Sequence, residues 1–211
     1  MYVVRSSLVG FMGTNCYTII NMDTKESILV DASGHISNLL RESLEAGAVL
    51  KSVLLTHAHY DHIDGIPSLR NECPDIEIYI GENDAPLLDS PELNLSQRFR
   101  RPISLKADHT VQDQQILNLI GLSIECIEVP GHTIGGMCYF IPELKCVFTG
   151  DTLVRGSIGR TTFPTGDKDL LINAIKRKLL TLPPDTVVYP GHDDASTIEQ
   201  EIRHNRYLKG V

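Results

Sequence analysis

Apolar positions along the chain fall mostly into short alternating or continuous runs bounded by turn residues, the signature of strands, with a few stretches at helical spacing between them. Met1–Leu8 and Asn15–Ile20 read as two strands joined by a turn around Gly10 and Gly13, and Ser27–Val30 as a third that ends at Asp31. Ile36, Leu39, Leu40 and Leu44 then recur at i, i+3, i+4 and i+8, which predicts a helix with one apolar stripe, stopped at Gly47. Val49–Leu55 and Ile76–Ile80 return to strand character, separated by a short helix over Ile63–Leu69; Asn83–Leu88 reads as a helical turn. Ser90–Pro102 breaks the pattern. It is polar, lacks a period, holds Arg98, Arg100 and Arg101, and reads as a surface insertion.

Strand signals resume from Ile116, with Leu122–Val129, then Met137–Ile141 and Cys146–Phe148 as a hairpin around Pro142-Glu143. Asp167–Leu180 predicts a helix whose apolar face is Leu170, Leu171, Ala174, Ile175 and Leu179. Thr186–Tyr189 is a last strand and Thr197–Leu208 a polar terminal helix. Strands in two batches with helices between them predict an α/β sandwich of two sheets with outer helices.

Composition narrows the function classes. A chain of 211 residues with 42% apolar and 22% charged positions can bury a substantial core, and is expected to form a single domain over 1–211. The formal net charge of -8 argues against a nucleic-acid surface, which needs clustered Lys and Arg. The start of the chain shows no signal-peptide pattern, and no apolar stretch approaches the roughly 18 residues of a spanning helix, so a cytoplasmic protein without a membrane partner is expected. Five cysteines, an odd number without a C-x-x-C pair, fit reduced thiols; Cys126, Cys138 and Cys146 sit inside strand-like runs, which favours burial over metal binding.

The chemistry is concentrated in one stretch. The apolar run Val53–Leu55 delivers His57, His59, Asp61 and His62 within six positions. Imidazole and carboxylate are the usual protein ligands of zinc and related divalent ions. Residues two apart in an extended segment share a side, so His57 and His59 can grip one ion together, while Asp61 and His62 follow at the turn and can serve a second position. Three further ligand types stand alone at strand ends: His132 after Pro130-Gly131, Asp151 after Thr149-Gly150, and His192 after Pro190-Gly191. In each case a glycine permits a sharp turn after the strand. Strand ends on one edge of a sandwich converge, so these residues are expected to complete the site. His35, His109 and His204 have no ligand-like neighbours and read as surface residues.

These motifs resemble the metallo-β-lactamase superfamily, whose signature is H-x-H-x-D-H followed by separate His, Asp and His ligands. The resemblance covers nearly the whole chain and implies a four-layer αββα sandwich with a two-metal centre on its rim. Carried over by position, His57, His59 and His132 would hold one ion, Asp61, His62 and His192 the other, and Asp151 would bridge them. The metals implied are two divalent ions, zinc first, with iron or manganese as alternatives. They would supply a hydroxide at neutral pH, with Asp61 orienting it as well as ligating. The run Gly150-Asp151-Thr152-Leu153, followed by Gly159-Arg160, is similar to the glyoxalase II-like branch (hydroxyacylglutathione hydrolases), in which a basic residue at the place of Arg160 contacts glutathione. The chain departs from that branch at Thr161 and Thr162, where an aromatic residue is expected, and only 19 residues follow His192, so the likeness is to its short form. Arg155 reads as a solvated or salt-bridged arginine. The reaction implied is hydrolysis of a small-molecule thioester such as S-lactoylglutathione. An iron-dependent persulfide dioxygenase, which also resembles the chain around Gly159-Arg160-Thr161, and a hydrolase of another ester or lactone are the alternatives.

Overall fold

A computed structural model describes residues 1–209, without the side chain of Ile36. Fourteen strands run in the order β1 Tyr2–Val9, β2 Thr14–Asn21, β3 Glu26–Val30, β4 Val49–Leu54, β5 Glu77–Gly81, β6 His109–Val111, β7 Ile116–Leu119, β8 Leu122–Glu128, β9 Met137–Ile141, β10 Cys146–Gly150, β11 Leu153–Val154, β12 Ser157–Ile158, β13 Val187–Pro190 and β14 Ser196–Thr197. Helices α1 Ile36–Glu45, α2 Tyr60–Ile63, α3 Ile66–Glu72, α4 Ala85–Leu88, α5 Lys168–Ala174 and α6 Ile198–His204 lie between or after them. Two six-stranded sheets form, ordered β1-β2-β3-β4-β5-β6 and β14-β13-β10-β9-β8-β7, with β11-β12 as a separate small ribbon.

Three apolar clusters fill three interfaces, which defines four layers. Between the sheets pack Tyr17, Ile28, Val30 and Leu54 from the first with Ile124, Cys126, Tyr139 and Phe148 from the second. Leu29, Val53 and Ile78, the alternate residues of the first sheet, face outward onto Leu39, Ile63, Ile66 and Leu69 of the helices. Ile127, Cys138, Val147 and Val188 of the second sheet likewise face Leu171, Ile175, Leu179 and Ile198. Both faces of the central strands are covered, so β9 and β10 are buried at every position and read as continuous apolar runs. The fold is the expected αββα sandwich.

Several local expectations need correction. Leu44 is 69% exposed, while Ser43 turns inward and bonds the Ser27 hydroxyl at 2.8 Å. Four residues advance a helix by about 40° beyond a full turn, and Leu40 already sits at the edge of the buried face, so Leu44 is carried past it. The side chain of Ile36, the first member of that stripe, lies outside what the structure describes. Leu170 is also exposed, and the helix predicted to Leu180 is α5 continued by a π-helical stretch, Ile175–Leu179. Ser90–Pro102 is more than a surface insertion. Asn94, Leu95 and Ser96 are buried, and the Asn94 side-chain amide donates to the Leu88 and Ile103 carbonyls. The expected surface histidines His35, His109 and His204 are exposed. All five cysteines are free thiols, four of them buried, as expected. No described helix is long and apolar enough to cross a membrane.

Candidate metal centre

Strand direction explains why the scattered residues meet. In the second sheet β8 and β10 both pair antiparallel with β9, and β13 pairs parallel with β10, so β8, β10 and β13 run the same way. Their C-terminal ends therefore reach one edge, and they carry His132, Asp151 and His192. In the first sheet β3 and β4 are parallel and aligned at Val30 and Leu54, which places Asp31 beside the His57–His62 loop. The Met137 amide donates to the Thr56 carbonyl and the Tyr139 hydroxyl to the Leu55 carbonyl, fastening the two sheets together under the loop.

The seven predicted residues come together as overlapping groups. His57, His59 and His132 form one, Asp61, His62 and His192 another, and His57, His62 and Asp151 a third; within each, the potential ligand atoms lie within 4.8 Å of one another. In the first group Nε2 of His132 is 2.9 Å from Nδ1 of His59 and 3.2 Å from Nε2 of His57. In the second, Oδ2 of Asp61 is 3.1 Å from Nε2 of His192 and 3.6 Å from Nε2 of His62. Asp151 lies between them: Oδ2 is 3.7 Å from His132, and Oδ1 is 3.4 Å from His62 and 3.6 Å from His192.

Partners on the outer nitrogens fix which lone pairs face inward. Nδ1 of His132 is 2.7 Å from the Arg160 carbonyl, which can only accept, so Nδ1 carries the proton and Nε2 is bare. Nδ1 of His62 donates to Asp31 at 2.8 Å, with the same consequence. The Thr56 hydroxyl donates to the Asp31 carboxylate, so it accepts from Nδ1 of His57 at 3.0 Å. Nδ1 of His192 faces the Gly13 carbonyl at 3.3 Å. Held in this tautomer, these four imidazoles offer Nε2 to the centre when neutral, whereas His59 turns Nδ1 toward His132. Nε2 of His62 and Oδ1 of Asp151 are buried with no hydrogen-bond partner in the protein. Unpaired buried acceptors are costly, and inward lone pairs with carboxylates among them fit divalent cations by number and by charge.

The two groups differ in proton affinity. Burial, then the neighbouring imidazoles, push His57 well below its ordinary pKa and His59 down to about 3. Burial also lowers His132, with Asp151 offsetting part of the effect. His62 is subject to a strong burial penalty that the Asp31, Asp61 and Asp151 carboxylates overcome, leaving it well above the ordinary value. His192 is raised chiefly by its bond to Asp61. Burial alone would raise Asp151, yet His62 and the other imidazoles hold it well below the usual carboxylate range. One group is thus held neutral, whereas at His62 and His192 protons would compete with a cation for Nε2.

Several supporting residues carry no sequence motif. Asp31, at φ 58°, accepts from the Thr56 amide at 2.8 Å as well as from Thr56 and His62 side chains. Its only sequence signal is its place at the end of a strand next to the motif strand. Asp84 is fully buried and accepts the Ala58 and Gly135 amides at 3.0 and 2.8 Å, tying the first loop to the segment after His132; burial pushes its carboxyl up to about 6. Phe163 lies edge-on to His59 at 5.2 Å and under Arg160 at 4.8 Å. An aromatic ring therefore does accompany the basic residue, three positions on rather than directly after it; the intervening turn brings it back. Arg160 presents its carbonyl to His132 and its Nε to the Thr162 hydroxyl. Arg155 pairs with Asp194 on the surface, as its bland reading anticipates.

Gly131 and Gly191 serve different needs. Gly131 has φ 128°, a conformation closed to other residues, so it allows the turn expected of it. Gly191 has no positive φ; a Cβ there would lie 2.6 Å from the His62 ring and 2.7 Å from Asp151 Oδ1. It is required for space, not for turning.

A sandwich with histidines and carboxylates gathered at one sheet edge is the architecture of a metallohydrolase, and comparison with known proteins identifies the family. The metallo-beta-lactamase superfamily model matches residues 9–192, and the chain belongs to that superfamily. It is 38% identical over 199 residues to the hydroxyacylglutathione hydrolase GloC of Haemophilus influenzae, covering 92% of each chain. Among solved structures it superposes on the BLEG-1 B3 metallo-beta-lactamase with a TM-score of 0.92 at 34% identity, covering 99% of this chain and 100% of that one. TTHA1623, crystallised in a di-iron-bound form, gives 0.83 at 31% identity, with 97% and 100% covered.

Proposed function

We propose that this protein is a dinuclear metal-dependent hydrolase of glutathione thioesters, S-lactoylglutathione being the prototype. The observation that carries the reading is the pair of inward-facing donor groups joined by Asp151, next to Arg160. Its similarity over nearly full length to a hydroxyacylglutathione hydrolase supports the substrate class. His57, His59 and His132 would hold one cation, Asp61, His62 and His192 the other, with Asp151 shared. Zinc is the first candidate; the di-iron form of a similar protein supports iron as an alternative.

When bound, the cations supply a water of lowered pKa and polarise the substrate carbonyl. The residues of the chain do the rest. Asp61 approaches His192 and accepts from Thr14 through Oδ2 alone, so Oδ1 is left to accept a hydrogen bond from the attacking water and orient it. Asp31, through Thr56 and His62, keeps two imidazoles in the ligating tautomer. Arg160, held against Phe163, offers its charge to a carboxylate of the leaving glutathione, a charge-assisted contact.

Metal-replete protein assayed on S-lactoylglutathione, alongside a lactone and a phosphodiester, tests the proposal. Turnover confined to the thioester is the expected result; hydrolysis of another member of the panel alone would overturn the substrate class. The resemblance to persulfide dioxygenases around Gly159-Arg160-Thr161 motivates a second reading, an iron-dependent enzyme of that class. Rapid oxygen uptake on glutathione persulfide by protein carrying one iron, without thioester turnover, would select it.

A further inference from the structure

Two arginines from distant parts of the chain crowd over one aromatic ring. The guanidinium carbon of Arg160 lies 4.8 Å from the centroid of Phe163, and that of Arg98 lies 5.7 Å from the same centroid. Phe163 abuts His59, so both cations stand one ring away from the three-histidine group. Among the described residues neither arginine forms an ion pair; Arg100, Arg101 and Lys168 form none either, and what sets this pair apart is that both stand over one ring beside the three-histidine group. In a chain of net charge -8, two unpaired like charges held together at a site are a recognition feature for an anion. Arg98 is brought there by the Ser90–Pro102 segment, which is pinned to the motif: the Tyr60 amide donates to the Asn94 carbonyl at 2.8 Å, and Phe99 stacks on Tyr60 at 4.8 Å.

Each of the two arginines also lines a cavity of its own, and the two cavities differ in charge. One, of about 330 Å³, is lined by Arg160, Lys168 and Tyr207 with the Ile158–Thr161 chain, and has cations only. The other, of about 430 Å³, is lined by Glu92, Gln97, Arg98 and Pro164. It holds a cation, a carboxylate and an amide whose side chains make no hydrogen bonds or ion pairs with one another. An anion alone would gain from Arg98 and lose to Glu92. A zwitterion satisfies both.

We propose that the Glu92–Gln97–Arg98 cavity is the subsite for an α-amino acid head group on the substrate. Arg98 takes its carboxylate, Glu92 its ammonium, and Gln97 either group. The cationic Arg160–Lys168 cavity takes a second carboxylate at the other end of the molecule, and the reacting centre lies between them beside Phe163. A peptide thiol with a zwitterionic end, a carboxylate end and a central sulfur has this charge order. The inference deepens the thioesterase reading and rests on it only for the reaction, not for the binding.

Metal-replete wild type, Arg98→Gln and Glu92→Gln are compared on S-lactoylglutathione and on an analogue with glutaryl in place of γ-glutamyl, which keeps the carboxylate and lacks the ammonium. Loss of one charge-assisted contact is expected to raise KM about tenfold for Arg98→Gln on both substrates, with kcat within about twofold. Glu92→Gln raises KM for S-lactoylglutathione and not for the glutaryl analogue. Calorimetric binding of S-methylglutathione ranks the same variants without turnover. Binding that depends on Arg98 and Glu92 supports the subsite even if no thioester is hydrolysed. Thioester turnover with unchanged KM and Kd in both variants overturns it while leaving the hydrolase reading intact, and failure of wild type to bind S-methylglutathione overturns it as well.

Discussion

The two sheets supply the candidate metal centre in different ways. The first delivers four donors in one loop after β4, and braces that loop from beneath with Asp31 and Asp84. The second delivers one donor from each of three strand ends, with nothing local to connect His132, Asp151 and His192. A contiguous loop can tolerate small shifts because its donors move together. Separately mounted donors depend on the register of β8, β10 and β13 and on the space left around each. The first half is braced by buried carboxylates, the second by single backbone carbonyls behind His132 and His192 and by packing.

Asp151→Ala tests the second half most severely, because this carboxylate faces both groups. Activity is expected to fall by about three orders of magnitude or more, with metal content dropping below two per chain, read by elemental analysis. Retention of two metals and full turnover would remove Asp151 from the centre. Gly191→Ala comes next. The new methyl must displace the His62 ring or Asp151, and a misplacement of about 1 Å costs on the order of 100-fold in kcat/KM. Thermal unfolding should change little by comparison, since the clash is with the site and not with the core.

Asp31→Asn addresses the first half. It keeps the shape, removes the charge beside His62, and exchanges an acceptor for a donor opposite the Thr56 bonds. Loss of such a partner lowers metal affinity by roughly 10- to 100-fold, measurable by competition with a chelator. An unchanged affinity would mean that the loop is held by its backbone alone. Asp84 gives the smallest functional effect and the clearest pH signature. Its folded pKa, about 6, stands above the ordinary 3.8, so the folded state binds more protons between those values. Its contribution to stability is therefore greatest below about pH 4, declines as pH rises to about 6, and is flat above. The shift corresponds to about 3 kcal/mol. Asp84→Asn should lack that slope and cost about 1–3 kcal/mol at pH 5, since the amide cannot accept both the Ala58 and Gly135 amides as the carboxyl does. Parallel pH profiles of denaturant unfolding for the two proteins would contradict the assignment.

How much of this could be read from the chain depended on the range of each interaction. Strands such as Met137–Ile141 matched because alternation and apolar runs are local consequences of covering both faces of a sheet. Leu44 and Leu170 misled because the width of a buried helical face is set by the partner layer, not by the helix. Asp31 and Asp84 looked like ordinary loop carboxylates, since their partners lie 25 and 26 residues or more away. The pairing of Phe163 with Arg98 has no sequence signal for a similar reason: their contact spans an insertion and a loop that share no pattern.

The sequence by itself determined the sandwich and the inventory of donors, because hydrophobic period and ligand chemistry are properties of the residues in order. Tertiary structure decided the rest. It set which nitrogen each histidine turns inward, since that follows from the acceptor behind the ring. It set the space that Gly191 must leave, and it brought Arg98 and Arg160 to one ring. Each of these depends on distances between residues that the chain order keeps apart, and only packing brings them within a few ångströms.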